Sequence, residues 1–426
     1  MKRKLLFVSS LLPLDFERAV YGVFGRMRLF LEAANRVTDD LSALFYCDPE
    51  LTDLDALSKT TEANLRKHWG IQASVSLCRR ERKPEASRWG HYFSPMFNAL
   101  SRPDYKPICG AEQISGFERA LTSCPDAVIF HRLESLLPAL RSGRSLPPSC
   151  LDLDDIEHVK YLREIRQPPR WPGKSLYYLQ LPALLRLERR AAGRVQKTFV
   201  CSKRDQRYLA RRWGLRNVVE IPNATAIPPR VPDLPRHANL LFVGTYTYGP
   251  NIAAAQHLIS QIWPLVRQRL PDAKLLIVGN RPERIPAYRD APPGVVFTGF
   301  MERLVDVYAK ARVVCCPILS GAGTRVKIIE AAAYGTPVVS TKLGAEGLDF
   351  TEGSEIILAE TPSQLATVCV ELLLDAGKCH RIGMAARKAA QRLYDRARAI
   401  QLIGQEIEQL TAGRPAISRS ASLSPH

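Results

Sequence analysis

The stretch VVCCPILSGAGTRVKIIEAAAYGTPVVSTKLGAEGL, residues 313–348, decides the expected fold. Its apolar run at residues 313–316 predicts a buried parallel strand, because such strands are covered on both faces. Gly321 and Gly323 predict a turn, and the Ala-rich text from about Thr324 predicts a helix. A strand, a glycine loop and a helix N-terminus are therefore expected in succession.

Such a loop can bind a phosphate group. The N-terminus of a helix offers unpaired N–H groups and a partial positive charge, and glycine lets an anion approach them closely. Arg325 and Lys327 add two full charges beside it. Glu330 lies on the same side of the helix as Lys327, where its carboxylate could accept hydrogen bonds from a ribose diol. The alternative is an ordinary surface helix in which Lys327 and Glu330 form an i, i+3 pair.

The whole stretch resembles the donor-nucleotide signature of the GT-B glycosyltransferases, and of family 4 in particular. The family's G-x-G-x-x-x-K-x-x-E-A-x-x-x-G-x-P-V-V and G-x-E-G patterns are matched by Gly321, Gly323, Lys327, Glu330, Ala331, Gly335, Pro337, Val338, Val339, Gly344, Glu346 and Gly347. The resemblance implies that Glu330 holds the donor ribose. It also implies that the loop of Gly321, Gly323 and Thr324, together with Arg325 and Lys327, holds the diphosphate.

Two positions depart from the family pattern. The family often has two glutamates eight positions apart, and Ala322 stands where the first would be. Many members also carry a G-R-x-x-x-x-K pattern after the first strand of this domain, whereas residues 244–250 read GTYTYGP. Arg325 and Lys327 are therefore the expected replacements for the missing cations. The string GTRVKIIEA, residues 323–331, is most similar to a subgroup associated with polysaccharide and exopolysaccharide assembly.

Length and composition set further bounds. At 426 residues the chain has room for two domains that each bury a core. A formal net charge of +18 indicates an anionic partner, such as an anionic substrate, an acidic lipid or a nucleic acid. The ten cysteines show no C-x-x-C pair or zinc spacing, so reduced thiols in a cytosolic protein are expected. Residues 5–10 predict a first strand rather than a signal peptide. No apolar run approaches the roughly 20 residues of a membrane-spanning helix.

The N-terminal half repeats the order of strand, glycine loop and helix. Gly22 and Gly25 lie in the loop after the first strand, and a helix is expected from about Arg26 to residue 35. In GT-B enzymes this loop faces the cleft between the domains, which places these three residues on the acceptor side. Arg26 could contact a phosphate or an acceptor, or could be a solvated arginine.

His131 closes the apolar strand predicted at residues 127–130. In family 4 a histidine often closes this strand and reaches the donor sugar, so the resemblance gives His131 a catalytic role. The carboxyl end of a parallel strand is where open α/β sheets bind ligands. A packing role is the alternative.

Residues 151–155, Leu-Asp-Leu-Asp-Asp, raise the question of a metal site. An Asp-x-Asp pair can hold a divalent cation on a sugar nucleotide, but that role belongs to the different GT-A fold. GT-B enzymes usually need no bound metal. No metal and no other cofactor is therefore expected.

Two segments combine cationic and aromatic side chains. Residues 65–105 are basic and irregular, with Arg66, Lys67, Trp69, Arg79, Arg80, Arg82, Lys83, Arg88 and Trp89. Residues 161–194 carry a second such set, and their latter part has the spacing of a helix. Such segments could dock the N-terminal domain on an anionic membrane that contains a lipid-linked acceptor, or could be solvated insertions.

The remaining text predicts two α/β domains. Strands are expected at residues 41–46, 197–202, 218–223, 240–244, 274–279 and 295–299. The N-terminal, acceptor-side domain is expected at residues 1–228, a Pro-rich linker at 229–238 and the donor domain at 239–410. A disordered tail is expected at 411–426. Gly299 and Phe300 lie where the family has its base-binding loop. The expected fold is two doubly wound, Rossmann-like α/β domains that face a cleft, as in GT-B.

The resemblance implies a retaining transferase that moves a sugar from a UDP- or GDP-sugar to a hydroxyl of a saccharide or lipid-linked acceptor. Front-face attack, assisted by the leaving phosphate, is the expected route because no convincing pair of carboxylates indicates double displacement. The expected location is cytoplasmic, with peripheral association on the inner face of the cell membrane. A sugar-nucleotide epimerase of the same fold and a non-catalytic nucleotide-sugar-binding scaffold are the alternatives. Nucleic-acid binding is suggested by charge alone.

Overall fold

The structure is a computed structural model that describes residues 3–16, 22–82, 90–167, 170–232 and 238–412. The predicted cationic and aromatic positions Lys83, Arg88 and Trp89 lie outside these residues, as do part of the predicted linker and the predicted tail from residue 413 onward.

The first sheet has seven parallel strands in the order β3-β2-β1-β4-β5-β6-β7. The strands are β1 (Lys4–Ser9), β2 (Asp40–Cys47), β3 (Ser74–Arg79), β4 (Ala127–His131), β5 (Ser149–Asp154), β6 (Lys197–Val200) and β7 (Val218–Glu220). Its helices are α1 (Val23–Val37), α2 (Leu54–Asn64), α3 (Gly90–Phe97), α4 (Ala111–Leu121), α5 (Leu133–Ser142), α6 (Glu157–Arg166), α7 (Leu181–Arg194) and α8 (Lys203–Trp213). A π-helical turn (Leu65–Trp69) extends α2, and a 3-10 helix (Lys174–Gln180) precedes α7.

The second sheet has six parallel strands in the order β10-β9-β8-β11-β12-β13. They are β8 (Leu240–Val243), β9 (Leu275–Val278), β10 (Val295–Gly299), β11 (Val313–Cys316), β12 (Val338–Ser340) and β13 (Ile357–Leu358). The helices that follow in the chain are α9 (Gly249–His257), α10 (Trp263–Arg269), α11 (Leu304–Tyr308), α12 (Val326–Ala333), α13 (Pro362–Leu374), α14 (Ala376–Leu393) and α15 (Arg396–Ala412).

Both sheets are covered on their two faces. Alternate residues of β1 point to opposite sides, and Leu6 and Val8 enter one buried cluster while Leu5 and Phe7 enter another. This alternation follows from the two-residue period of a strand. The expected pair of doubly wound α/β domains is therefore confirmed. In each sheet the strand order reverses beside the first strand, and such a reversal opens a crevice at the carboxyl edge of a sheet.

The C-terminal helix corrects the predicted domain boundary. The apolar side chains of α15, including Ile400, Ile403 and Ile407, are buried with Leu29 and Phe30 of α1, in the core of the N-terminal domain. The chain crosses back at residues 394–396, which hydrogen-bond to Thr225 beside the first crossing. The donor domain therefore ends at α14, and the N-terminal domain is built from both ends of the chain.

The predicted irregular segment at residues 65–105 also needs correction. It contains the edge strand β3, whose Val75 and Cys78 are buried. Arg79 and Arg80, taken as candidates for lipid binding, donate instead to the carbonyl groups of Leu51 and Tyr46. The many charged residues of this segment obscured the signal of β3, in which small and apolar residues alternate. Within the described residues, no helix combines the length and the apolar character needed to cross a bilayer.

Candidate functional site

A cavity of about 580 Å³ lies between the carboxyl edges of the two sheets. Loops after β1, β4 and β5 form its N-terminal wall, and loops after β8, β9, β10 and β11 form its C-terminal wall. The residues that line the cavity include Gly22, Arg132, Asp154, Asp155, Lys160, Asn223, Gly244, Thr245, Asn251, Phe300, Ala322, Gly323, Thr324, Arg325, Lys327 and Glu330. The two crevices predicted by the strand order thus form one site.

The glycine loop has the conformation that its sequence requires. Gly321 and Gly323 have φ angles of 97° and 72°, in the region that side chains with a Cβ rarely adopt. A Cβ on Gly321 would lie 2.9 Å from the Tyr248 hydroxyl oxygen. Helix α12 begins at Val326, two residues after the predicted start at Thr324, so its first N–H groups adjoin the cavity. Gly323 and Thr324 line the cavity, whereas Gly321 lies behind it and shapes the loop.

Arg325 binds the glycine loop in this structure. Its guanidinium donates to the carbonyl oxygens of Ala322 and Gly323, and to Ser320 O at 3.3 Å. The side chain is buried but still lines the cavity. Arg325 therefore fixes the loop that was expected to hold a diphosphate, and its direct contact with phosphate stays a prediction.

Lys327 is the cation best placed for an anionic ligand. Its Nζ donates to Asn251 Oδ1 at 2.8 Å and lies 4.3 Å from the centre of the Phe242 ring. Asn251 is held in turn by its own donation to Thr245 O at 3.0 Å. Burial lowers the pKa of the Lys327 ammonium to about 8, despite the opposing effect of Glu330. No carboxylate in the described residues forms an ion pair with Lys327.

Glu330 lies one turn further along α12 and lines the same cavity, as predicted. Its carboxylate is buried and accepts a hydrogen bond of 3.4 Å from the Tyr308 hydroxyl. Burial raises the pKa of Glu330 to about 7, with Lys327 acting in the opposite direction. A carboxylate with free lone pairs at this depth can accept hydrogen bonds from a diol.

Residues of the N-terminal domain contact the glycine loop from the other side of the cleft. Arg163 of α6 donates to Gly321 O at 3.0 Å and pairs with Glu346 at 2.6 Å. Arg204 of α8 also pairs with Glu346. Asn223 donates through Nδ2 to Thr324 Oγ1 at 2.8 Å. These contacts connect the relative position of the domains to the shape of the loop.

The three residues predicted on the acceptor side differ in where the structure places them. Gly22 lines the cavity and has a φ angle of 57°, but Gly25 lies inside α1 and away from the lining. The expected contact of Arg26 with a ligand is corrected, because the side chain is buried and fully engaged. It binds Asp152 Oδ1 at 2.6 Å, Ile221 O at 2.9 Å and Asn223 Oδ1 at 3.2 Å.

His131 does not line the cavity, and its expected catalytic role stays a prediction. It ends β4 as predicted, but it is completely buried, and its Nδ1 lies 3.0 Å from the Ser9 hydroxyl. Burial lowers the pKa of the imidazole to about 3, and the adjacent Arg132 acts in the same direction. The next residue, Arg132, reaches the cavity instead, with a φ angle of 69°. His131 therefore supports this wall from behind.

The acidic residues at the carboxyl end of β5 lie in two different environments. Asp152 is committed to Arg26, and Asp154 lies 3.6 Å from the same guanidinium. Asp154 and Asp155 line the cavity. Among the described residues, no group of three His, Cys, Asp or Glu side chains could hold a metal ion. Independence from metal and from other cofactors stays a prediction.

Several lining residues were missed in the sequence. Arg132, Lys160, Asn223 and Asn251 reach the cavity, and the position of Arg132 directly after His131 was the clearest signal. Of the expected base-binding pair, Phe300 lines the cavity, whereas Gly299, with a φ angle of 70°, forms the turn behind it.

Comparison with known proteins agrees with this architecture. Residues 237–375 match the family model described as glycosyl transferases group 1. Sucrose-phosphate synthase from Thermosynechococcus elongatus has a similar structure, with a TM-score of 0.68 and 18% identity over 97% of this chain and 100% of that one. Anabaena HepE in complex with UDP and glucose gives 0.62 and 15% over 96% and 100%. These neighbours show that the fold is GT-B.

Two curated relatives are similar in sequence over part of their length. A phosphatidyl-myo-inositol mannosyltransferase of Mycobacterium tuberculosis is 30% identical over an alignment of 212 residues that covers 44% of this chain and 54% of the relative. An uncharacterized 44.6 kDa protein in the cps region of Klebsiella pneumoniae is 25% identical over 178 residues, 40% and 46% of the two chains. The chain thus spans about half the length of the curated relatives it matches.

Proposed function

We propose that this chain, a GT-B protein with a glycosyl transferases group 1 domain at residues 237–375, transfers a sugar from a nucleoside-diphosphate sugar to an acceptor hydroxyl. The observation that carries the proposal is one cavity in which the N-terminus of α12, Lys327 and Glu330 converge. An ammonium group and backbone N–H groups suit a diphosphate, and a buried carboxylate beside them suits a ribose. UDP is the nucleotide bound in the Anabaena neighbour, which supports a UDP-sugar as the first donor to test.

The same groups would lower the reaction barrier. Negative charge gathers on the leaving diphosphate as the glycosidic bond breaks, and preorganised donors aimed at that charge stabilise the transition state. The acceptor hydroxyl loses its proton as it attacks, and a leaving phosphate oxygen is the proposed proton acceptor. This front-face route retains the configuration at the anomeric carbon. Retention is part of the proposal.

A binding panel tests the donor assignment. Calorimetry with UDP, GDP, ADP and TDP, and with their sugar conjugates, should show binding of one nucleotide class. Glu330→Ala should weaken that binding about tenfold, as expected for the loss of hydrogen bonds to a charged group. Glu164→Gln alters an exposed carboxylate of α6 outside the cavity and should leave the affinity unchanged. Failure of every nucleotide to bind would refute the donor site, and binding without turnover would favour the scaffold alternative.

We further propose that the acceptor lies in an anionic membrane. An aromatic surface, formed by Phe93, Phe97, Trp171 and Tyr178 beside the exposed Leu179, projects from the N-terminal domain. Phe97 is 77% exposed and Phe93 is 44% exposed, one helical turn apart on α3. The 3-10 helix packs beside α3, with the Tyr92 and Tyr177 ring centres 4.9 Å apart. Exposed patches of this kind are uncommon on proteins that bind nothing there.

Charge and position favour a lipid as the partner of the aromatic surface. Arg166 and Arg170 are exposed in the segment that leads to Trp171, and aromatic groups next to cations suit the headgroup region of an anionic bilayer. Gln167, between them, donates to Leu319 O across the cleft at 3.3 Å. The aromatic surface therefore adjoins the cleft, where a lipid-linked acceptor would enter. The mycobacterial relative, a phosphatidyl-myo-inositol mannosyltransferase, is named for a lipid substrate.

Vesicle flotation tests this docking. We expect more protein to be recovered with phosphatidylcholine–phosphatidylglycerol vesicles than with phosphatidylcholine alone. Phe93→Ser combined with Phe97→Ser should abolish the difference in recovery. Both side chains are already exposed in the free protein, so the substitutions should leave its folding intact. Leu374→Ser is the matched control, because Leu374 is 67% exposed on the other domain. Equal recovery of the wild-type protein with neutral and anionic vesicles would contradict the proposal.

A further inference from the structure

Asp155 carries a carboxylate across the cleft to the glycine loop. It directly follows β5 in the N-terminal domain, yet it lines the cavity together with Ala322 and Gly323 of the donor domain. A Cβ built on Gly323 would lie only 2.1 Å from Asp155 Oδ1. The carboxylate therefore rests directly against the loop, in space that a side chain at position 323 would fill.

Among the described residues, the neighbouring acids lie within ion-pair distance of a cation, whereas the cations that act on Asp155, those of Lys160, Arg132 and Arg325, lie beyond that distance. Asp152 and Asp154 lie beside Arg26, and Glu157 lies 3.4 Å from Arg132 and 3.6 Å from Lys160. The described part of the chain provides Asp155 with neither a hydrogen bond nor an ion pair within 4 Å. Burial and the adjacent Asp154 raise the pKa of Asp155 to about 6, so the group is mostly ionised at neutral pH.

The Asp155 carboxylate is half-buried and faces the cavity, where a bound ligand that displaces water would have to replace the hydrogen-bond donors of that water. A phosphate group cannot supply them, because two anions repel each other. Sugar hydroxyls can, and a carboxylate can accept from two neighbouring hydroxyls at once. The glycine loop has no acidic side chain of its own, since position 322 is alanine.

From this geometry we propose that Asp155 accepts hydrogen bonds from hydroxyl groups of the donor sugar and thereby selects and positions that sugar. The inference rests on the proposed donor site. It assigns the nucleotide to the C-terminal wall and part of the sugar to the N-terminal wall. The sugar is then fully held only when the two domains are together, as the contact of Asp155 with Gly323 has them.

The test compares UDP with UDP-glucose, UDP-galactose and UDP-N-acetylglucosamine by calorimetry, in the full-length protein at neutral pH. In the wild type at least one UDP-sugar should bind more tightly than UDP. Asp155→Asn should weaken that UDP-sugar by roughly tenfold to a hundredfold, the range for a hydrogen bond to a charged group. The affinity for UDP itself should be unchanged or higher, because the substitution removes a negative charge beside the loop proposed for the diphosphate. Glu164→Gln is the control for loss of a carboxylate on the same domain.

The outcomes separate this inference from the proposed function. If UDP binds and Asp155→Asn leaves the UDP-sugars unchanged, or weakens UDP equally, the sugar contact is wrong and the donor site stands. The sugar contact is also contradicted if the wild-type protein binds none of the three UDP-sugars more tightly than UDP. If UDP fails to bind, the donor site itself fails. The thermal midpoint of Asp155→Asn should be equal to or above that of the wild type, since the substitution removes a half-buried negative charge that lies beside Asp154.

Discussion

Lys327→Ala should remove roughly 2 to 4 kcal/mol of transition-state stabilisation and so lower kcat/KM about 30- to 1,000-fold. The reaction measured is the release of UDP from the UDP-sugar that the protein binds. The ammonium is already placed by Asn251 Oδ1 at 2.8 Å and by the Phe242 ring. It therefore needs little rearrangement to stabilise charge on the leaving diphosphate. Initial rates of UDP release provide the measurement. Lys342→Ala removes an exposed lysine of the same domain and should leave the rate unchanged.

A pH series checks the same assignment independently. Burial lowers the pKa of Lys327 to about 8, so the ammonium form predominates below that pH and is lost above it. A diphosphate binds the charged form, and UDP affinity should therefore fall between about pH 8 and pH 9, above the range in which Glu330 ionises. Lys327→Arg keeps its charge and should not show this fall. Parallel profiles for the two proteins, or a normal rate in Lys327→Ala, would exclude Lys327 as the phosphate cation.

Arg26→Ala should have the largest effect on folding, at about 3 to 5 kcal/mol of lost stability. The ion pair of Arg26 and Asp152 is 1% and 0% exposed, and alanine would leave the Asp152 carboxylate buried without its partner. It would also remove the donors to Ile221 O and Asn223 Oδ1, which connect α1 to the segment after β7. Denaturation monitored by tryptophan fluorescence measures the loss.

Arg28→Ala is the matched control on the same helix. Arg28 and Glu32 form a partly exposed i, i+4 pair at 3.0 Å, a kind worth about 0.5 kcal/mol. If Arg26 served instead to bind a ligand, Arg26→Ala would unfold at the same denaturant concentration as the wild type and would lose affinity. That result would restore the expectation drawn from the sequence.

Elements whose signals are local could be predicted from the sequence. The run at 313–316 became β11, and the following loop has positive φ angles at Gly321 and Gly323. Lys327 and Glu330 share a helix, so their joint presence in the cavity followed from helical spacing. The two-domain fold could be predicted for the same reason, since the sequence pattern of each strand and helix lies within a few residues.

Features that depend on distant pairing could not be predicted in the same way. The sequence places Arg26 at the start of a helix, where a solvated or ligand-binding side chain is as natural as a buried one. Only the tertiary fold brings Asp152 to it. His131 was placed on the correct strand end, but the direction of its side chain depends on the pleat of β4. Asp155 and Gly323 meet because two domains face each other, and no local pattern encodes that contact.

The return of α15 to the N-terminal domain has a consequence for synthesis on the ribosome. Ile400, Ile403 and Ile407 cover apolar groups of α1 and complete a core that the first residues of the chain begin. That core cannot close until α15 has left the ribosome, which happens only after the whole donor domain has been synthesised. The nascent N-terminal domain must therefore wait with an uncovered apolar face through the synthesis of the whole donor domain. Domains usually fold in their order of synthesis, but here the N-terminal core depends on a helix that is made after the donor domain.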